Sequence, residues 1–162
     1  GTGLDTLVIG AGAGTRQVDF SNIVDQLSGD GTYLDFENLN AASATGQLSV
    51  IAGSGTTFIA TGSRIDQVDA GLAAQGVTIA TGASGDAIIA SDHDDTVNAG
   101  TGDDLIAGGL GNDQLTGGAG VDTFVFDSAL NGATNVDTLS DFLSGTDLFE
   151  LHQDIFAALE ST

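Results

Sequence analysis

The sequence predicts an all-β chain in which short strands and tight turns stack into a solenoid. Three observations predict it: an internal period of nine residues, 25 glycines, and a complete absence of Pro, Cys, Met and Trp. The period is clearest in one apolar column, where Ile79, Ile88, Val97, Ile106, Leu115 and Phe124 fall at nine-residue steps. Two residues before each of the last five stand Asp86, Asp95, Asp104, Asp113 and Asp122. A helix bundle would not tolerate this much glycine, which costs about 1 kcal/mol per residue relative to alanine in a helix. A hydrophobic content of 41% lets a core form despite the charge, and 162 residues suit one domain or an elongated module.

The charge narrows the function. Lys and Arg number 2, as Arg16 and Arg64, against 23 Asp and Glu, for a formal net charge of −21. Such a surface repels phosphate backbones and anionic lipid, which argues against nucleic-acid partners and electrostatic membrane docking. It calls for cations. Twenty of the acids are Asp and only Glu37, Glu150 and Glu160 are Glu, a bias toward the short arm that solubility alone does not require. The lack of Cys excludes a disulfide scaffold, a Cys-ligated zinc site and thiol catalysis. No apolar run is long enough to predict a transmembrane helix, and Gly1 to Asp5 lacks signal-peptide features, so an export signal is expected elsewhere.

The repeat is written most fully in Gly108-Gly109-Leu110-Gly111-Asn112-Asp113-Gln114-Leu115-Thr116 and in Gly117-Gly118-Ala119-Gly120-Val121-Asp122-Thr123-Phe124-Val125. Ala99 to Ala107 matches with one Gly replaced. Thr81 to Ile89 has Ser84 where Gly is expected, and Ala90 to Asn98 is looser, with His93 at that position. This pattern, G-G-x-G-x-D-x-U-x with U a large apolar residue, resembles the calcium-binding nonapeptide of RTX (repeats-in-toxin) proteins. The resemblance implies a right-handed parallel β-roll. In that family six residues turn and three form a strand, so two nonapeptides complete one coil and residues 18 apart stack on the same side.

The residue types agree with that chemistry. Glycine lets the turn take positive φ and bring carbonyl oxygens inward. Carbonyl and carboxylate oxygens suit a hard cation with many flexible ligands, which is calcium rather than magnesium or a transition metal. Without it, carboxylates stacked about 5 Å apart repel by about 1 to 3 kcal/mol per pair, so folding is expected to be coupled to metal. The 18-residue rule pairs Asp86 with Asp104, Asp104 with Asp122, and Asp95 with Asp113 on the opposite side, for about three calcium ions. Carried over from the family, the carbonyl ligands are Gly82, Ser84, Ala99 and Thr101 for the first. They are Gly100, Gly102, Gly117 and Ala119 for the second, and Ser91, His93, Gly108 and Leu110 for the third. A fourth pair would need an acid at position 77 or 131, where Val77 and Asn131 stand. Further ions in the cap, through Asp127, Asp137 or Asp141, are left open.

Three regions follow: a degenerate β-solenoid at 1–76, the β-roll at 77–126 and a capping segment at 127–162. Gly1 to Leu7 fits positions two to eight of the repeat, as if the array were longer. Strands are expected at Leu48 to Ala52, Thr56 to Ala60 and Arg64 to Asp69, with Phe20, Tyr33 and Phe36 sealing the outer end and a short helix over Ser21 to Leu27. Five of the eight Phe lie between Phe124 and Phe156, and a solenoid needs a cap over its exposed core. The runs Asn135 to Phe142 and Gly145 to Leu151 resemble the segment that closes β-rolls in RTX proteases and adhesins, and a short helix is expected over Asp154 to Leu159.

His93 and His152 have no second His or Cys nearby in the sequence, and no G-x-S-x-G elbow is present, so the chain reads as a non-enzyme. Two Ile-Ala-Thr-Gly copies, at Ile59 and Ile79, read as strand-to-turn transitions, with an exposed Thr ladder for ice or glycan as the other reading. The resemblance implies a calcium-binding module, folded outside the cell, of a secreted or surface protein of bacterial type exported by type I secretion. Two alternatives stand beside it. One is a surface-layer or adhesin segment that contacts glycan or other copies of itself; the other is the C-terminal part of a metalloprotease, lipase or epimerase.

Overall fold

The computed structural model describes residues 6–8, 16–19, 38–129 and 131–156. The expectations for Gly1 to Asp5, for Phe20, Tyr33 and Phe36, and for a helix over Ser21 to Leu27 lie outside these residues.

The strands are β1 (Thr6–Val8), β2 (Arg16–Asp19), β3 (Asn38–Asn40), β4 (Leu48–Ile51), β5 (Phe58–Ala60), β6 (Gln67–Asp69) and β7 (Thr78–Ala83). They continue as β8 (Ala87–Ile89), β9 (Thr96–Thr101), β10 (Leu105–Ala107), β11 (Gln114–Ala119), β12 (Thr123–Phe126), β13 (Thr138–Leu139) and β14 (Leu148–Leu151). A single turn of helix, α1 (Gln153–Phe156), follows and overlaps the start of the expected one. Odd strands form one seven-stranded sheet in the order β1-β3-β5-β7-β9-β11-β13, and even strands form a second in the order β14-β12-β10-β8-β6-β4-β2. All pairings between these strands are parallel, so the chain alternates between two sheets as it climbs a β-solenoid. Both sheets run unbroken across positions 76 and 127.

The apolar column explains why. Leu39, Val50, Ile59, Val68, Ile79, Ile88, Val97, Ile106, Leu115 and Phe124 all point inward and are buried. Alternation along each three-residue strand sends the flanking side chains outward, giving patterns such as exposed-buried-exposed in β6. Two residues after each apolar member the chain turns the corner, and there only small side chains fit: Ala41, Ala52, Thr61, Ala70, Thr81, Ala90 and Ala99 are all buried. The threonines at this corner spend their hydroxyls inside the fold, Thr61 donating to Thr81 O at 3.0 Å and Thr81 to Ala99 O at 3.0 Å. The Ile-Ala-Thr-Gly copies are therefore strand-to-turn transitions, and these two threonines offer no exposed ladder.

Coil length varies. In the repeat region Thr78 pairs with Thr96 and Thr96 with Gln114, a step of 18 residues. Toward the N-terminus Asn38 pairs with Phe58 and Phe58 with Thr78, a step of 20 seen also between Asp66 and Asp86. At the other end Gln114 pairs with Thr138 and Thr123 with Leu148, steps of 24 and 25. The lengthened last coil makes the cap. Phe142 lies 6.1 Å from Phe124 and stacks on Phe149 at 4.3 Å, and Phe149 lies 5.8 Å from Phe126. This aromatic stack lies over the end of the apolar column, as the Phe-rich composition implied.

Close stacking depends on glycine at the coil corners. Gly118 has φ +104° and sits so close to the coil beneath that a Cβ would strike the carbonyl oxygen of Gly100. Gly132, in the enlarged last coil, faces open space. Gly118→Ala is expected to lower stability by about 2 kcal/mol or more, and Gly132→Ala to change it by less than about 0.5 kcal/mol, measured by urea unfolding at saturating calcium.

Candidate metal centre

The position two residues before each inward apolar side chain lies at the sheet corner, with its side chain buried beneath the neighbouring coil. Six aspartates hold this position at 3% exposure or less: Asp66, Asp86, Asp95, Asp104, Asp113 and Asp122. Each carboxylate reaches to the backbone of the coil before it. On the even-strand flank Leu48 N donates to Asp66 Oδ1 at 2.7 Å, Asp66 N to Asp86 Oδ1 at 2.7 Å, Asp86 N to Asp104 Oδ1 at 2.7 Å and Asp104 N to Asp122 Oδ1 at 3.0 Å. On the odd-strand flank Val77 N donates to Asp95 Oδ1 at 2.6 Å and Asp95 N to Asp113 Oδ1 at 2.9 Å. These are two carboxylate ladders, each beginning where an apolar residue, Leu48 or Val77, takes the aspartate's place.

The cap extends both. Asp122 N donates to Asp147 Oδ1 at 3.2 Å, and Asp113 N to Asp137 Oδ1 at 3.2 Å. Fixed 18-residue spacing located Asp86, Asp95, Asp104, Asp113 and Asp122 but missed Asp66 and Asp147, and Asp137 was named from the sequence only among the open cap positions. Asn131 does stand 18 residues after Asp113, yet the 24-residue coil puts Asp137 there instead. The signal was present: Asp66, Asp137 and Asp147 each precede by two an apolar residue, Val68, Leu139 or Phe149, that pairs with a member of the apolar column.

The second carboxylate oxygen separates the rungs. Asp66 Oδ2 accepts Gly62 N at 3.2 Å, and Asp95 Oδ2 accepts Ser91 N at 2.7 Å and the Ser91 hydroxyl at 3.0 Å. Asp86, Asp104 and Asp113 differ: Oδ2 of each is buried with no hydrogen-bond partner. A buried carboxylate oxygen without a donor costs several kcal/mol unless a proton or a cation meets it.

The turns beside these oxygens have the shape the repeat requires. Positive φ occurs at Gly82 and Ser84, Gly100 and Gly102, Gly109 and Gly111, and Gly118 and Gly120, the second and fourth positions of four repeats. Ser84 adopts φ +79° without being glycine, so the turn overrides its preference. Ser91 and His93 take neither, and Ser91 folds onto Asp95 instead. Of the carbonyls expected to face cations, Ala99 O already accepts the Thr81 hydroxyl, and Ala119 O accepts Gly102 N at 2.8 Å. Gly108 and Gly117 lie directly against Asp113 Oδ2 and Asp122 Oδ2, where a Cβ would collide. Thr101 pairs with Ala83 and Ala119 in the sheet, and Leu110 is exposed.

Among the described residues no three His, Cys, Asp or Glu side chains converge on one point. A cation at these turns would draw on one or two carboxylates and on backbone carbonyls, an all-oxygen set suited to calcium. The buried unpartnered oxygens of Asp86, Asp104 and Asp113 fit such an ion.

Residues 78–124 match the family model of the RTX calcium-binding nonapeptide repeat, in four copies. No curated protein and no solved structure matches the chain. The stretch is thus an RTX repeat array, a structural unit that binds calcium.

Burial governs the ladder's titration. Desolvation raises the Asp86 pKa to about 6, opposed by the Asp66 N–H and by the nearby Thr81 hydroxyl, whose hydrogen goes to Ala99 O in this structure, and augmented by repulsion from Asp104 and Asp66. It raises Asp113 to about 7, with repulsion from Asp137 and Asp95 adding to it, and it raises Asp95, Asp104, Asp122 and Asp137 as well. A carboxyl whose pKa rises on folding binds its proton more tightly folded than unfolded. In metal-free protein this contribution is complete below the ordinary value of 3.8 and is lost as pH rises through about 6 and about 7. The fraction of chain folded in chelator, read by far-UV circular dichroism, is expected to fall as pH rises from about 4 to about 7, and saturating calcium to cancel or reverse that slope, because the ion binds the ionised form. A folded fraction that rises with pH in chelator would contradict this.

Proposed function

We propose that this chain is a calcium-triggered folding module of a secreted protein, extended where calcium is scarce and folded where it is plentiful. The observation that carries the reading is the set of three buried, donorless carboxylate oxygens at Asp86, Asp104 and Asp113 in turns of RTX type. Protein N–H groups satisfy one oxygen of each aspartate, and calcium satisfies the other while linking consecutive turns. Binding to the folded state alone stabilises it by mass action, so sites of the strength usual in extracellular modules, about 10⁻⁴ to 10⁻³ M, suffice outside a cell.

In this scheme Asp86 and Asp104 flank one ion, Asp104 and Asp122 a second, and Asp113 holds a third together with Asp95, whose contacts with Ser91 that ion replaces. The turn carbonyls named from the repeat supply the remaining ligands. The repeat family supports export by a type I route and a bacterial source. No helix among the described residues is long and apolar enough to cross a membrane.

Far-UV circular dichroism during titration of calcium into metal-stripped protein tests the reading, with magnesium as control. The expected result is a calcium-specific gain of β signal. A folded β spectrum in excess chelator, unchanged by calcium, refutes the switch. Asp104→Ala, which removes a shared rung, is expected to raise the calcium midpoint more than Asp86→Ala does; equal midpoints count against shared sites.

A further inference from the structure

The two sheets present different outer faces, although one repeat builds both. On the odd-strand sheet the outward positions are mostly polar and uncharged, as at Thr78, Thr96, Asn98 and Gln114. Those of the even-strand sheet are largely apolar. Ile89, Leu105 and Leu148 are each about half exposed, and Ile51 and Val125 share their face.

Register sets the pattern along the axis. Asp69 pairs with Ile89, Ile89 with Ala107, Ala107 with Val125 and Val125 with Glu150. One outward row therefore reads acid, three apolar side chains, acid. Ala107 points outward yet is only 7% exposed, and it forms the floor of a groove of about 550 Å³ that Ile51, Ile89, Leu105 and Val125 also line. Asp69 stands on one side of the apolar stretch, and Glu150 and Asp127 stand on the side of the cap. Among the described residues that line the groove there is no Lys or Arg; His152, 3.9 Å from Glu150, is the one group that can turn basic. An exposed apolar strip rimmed by charge is the mark of an interaction surface.

We propose that this groove docks an apolar segment of a separate polypeptide that carries a basic residue at each end. Charge selects this occupant over a second copy of the chain. A copy brings a net charge of −21 against another −21, sets acid on acid at the rim, and offers only Arg16 and Arg64 to relieve it. Four strand steps separate Asp69 from Glu150, about 19 Å, which about six extended residues span. The partner's basic residues stand about that far apart, with aliphatic side chains between them over Ala107. The inference needs the solenoid but not the number or place of its calcium ions.

Fluorescence anisotropy at saturating calcium tests it with a labelled synthetic peptide that alternates leucine and serine between two lysines about six residues apart. Wild-type chain is expected to bind this probe at least about tenfold more tightly than Ile89→Gln/Leu105→Gln does. Asp69→Asn/Glu150→Gln is expected to weaken binding about threefold or more, although it removes only two acids of 23. No binding by wild type, or wild-type affinity in either double variant, overturns the proposal. Sedimentation velocity of the chain alone adds one more outcome: a wild-type dimer that I89Q/L105Q makes monomeric gives the groove to a second copy and overturns the basic partner. Both apolar side chains are exposed, and circular dichroism checks that their variant folds. Should it not, photo-crosslinking of the peptide to wild-type chain decides. Adducts on residues 87–107 of the even-strand face sustain the groove; adducts confined to other faces overturn it.

Discussion

The structure depends on burying a carboxylate at nearly every coil. A solenoid of three-residue strands has few side chains per layer, so its corners must be closed by hydrogen bonds as well as by packing. Aspartate does this with its short arm: one oxygen reaches the backbone N–H of the preceding coil, a distance a longer side chain would overshoot. That geometry secures the backbone but leaves a second oxygen inside the protein. Each rung must then find another donor, a proton or a metal ion, and the sequence of the turn decides which.

Along the ladders the answer changes with the local residues. At Asp66 the turn supplies Gly62 N, and at Asp95 it supplies both the amide and the hydroxyl of Ser91. At Asp86, Asp104 and Asp113 the glycine-type turn supplies nothing. Rungs satisfied by protein therefore sit beside rungs whose second oxygen the protein leaves unmet. The even-strand ladder begins with a satisfied rung and ends on backbone donors in the cap. On that ladder the unmet oxygens, at Asp86 and Asp104, lie between ends that close by protein contacts, whereas on the other the unmet oxygen of Asp113 lies beside the cap.

Much of this was legible in the residues. The nine-residue apolar column gave the strand positions, the inward-facing core and the corner aspartates, because packing and register there obey one spacing. What the spacing hid was coil length. Val50, Ile59 and Val68 keep the same nine-residue step, but eleven residues separate Val68 from Ile79, and that break obscured Asp66. The cap's longer coil likewise moved the partner of Asp113 from position 131 to Asp137. Stacking is set by which side chains face inward, and loops of different length can deliver the same strand to the same place. In the sequence Ser91 was named only as a carbonyl ligand of the third ion; its side-chain bond to Asp95 needed the fold.

The ladder bonds also have a direction. At each step the donor is the earlier coil's N–H and the acceptor is the later coil's carboxylate, from Leu48 through to Asp147. A coil added at the N-terminal side finds its acceptor already in place, whereas one added at the C-terminal side must bring its own carboxylate into a closing pocket. The ladder therefore gives the solenoid a polarity: each coil presents carboxylate acceptors toward the N-terminal side of the stack and backbone donors toward the C-terminal side.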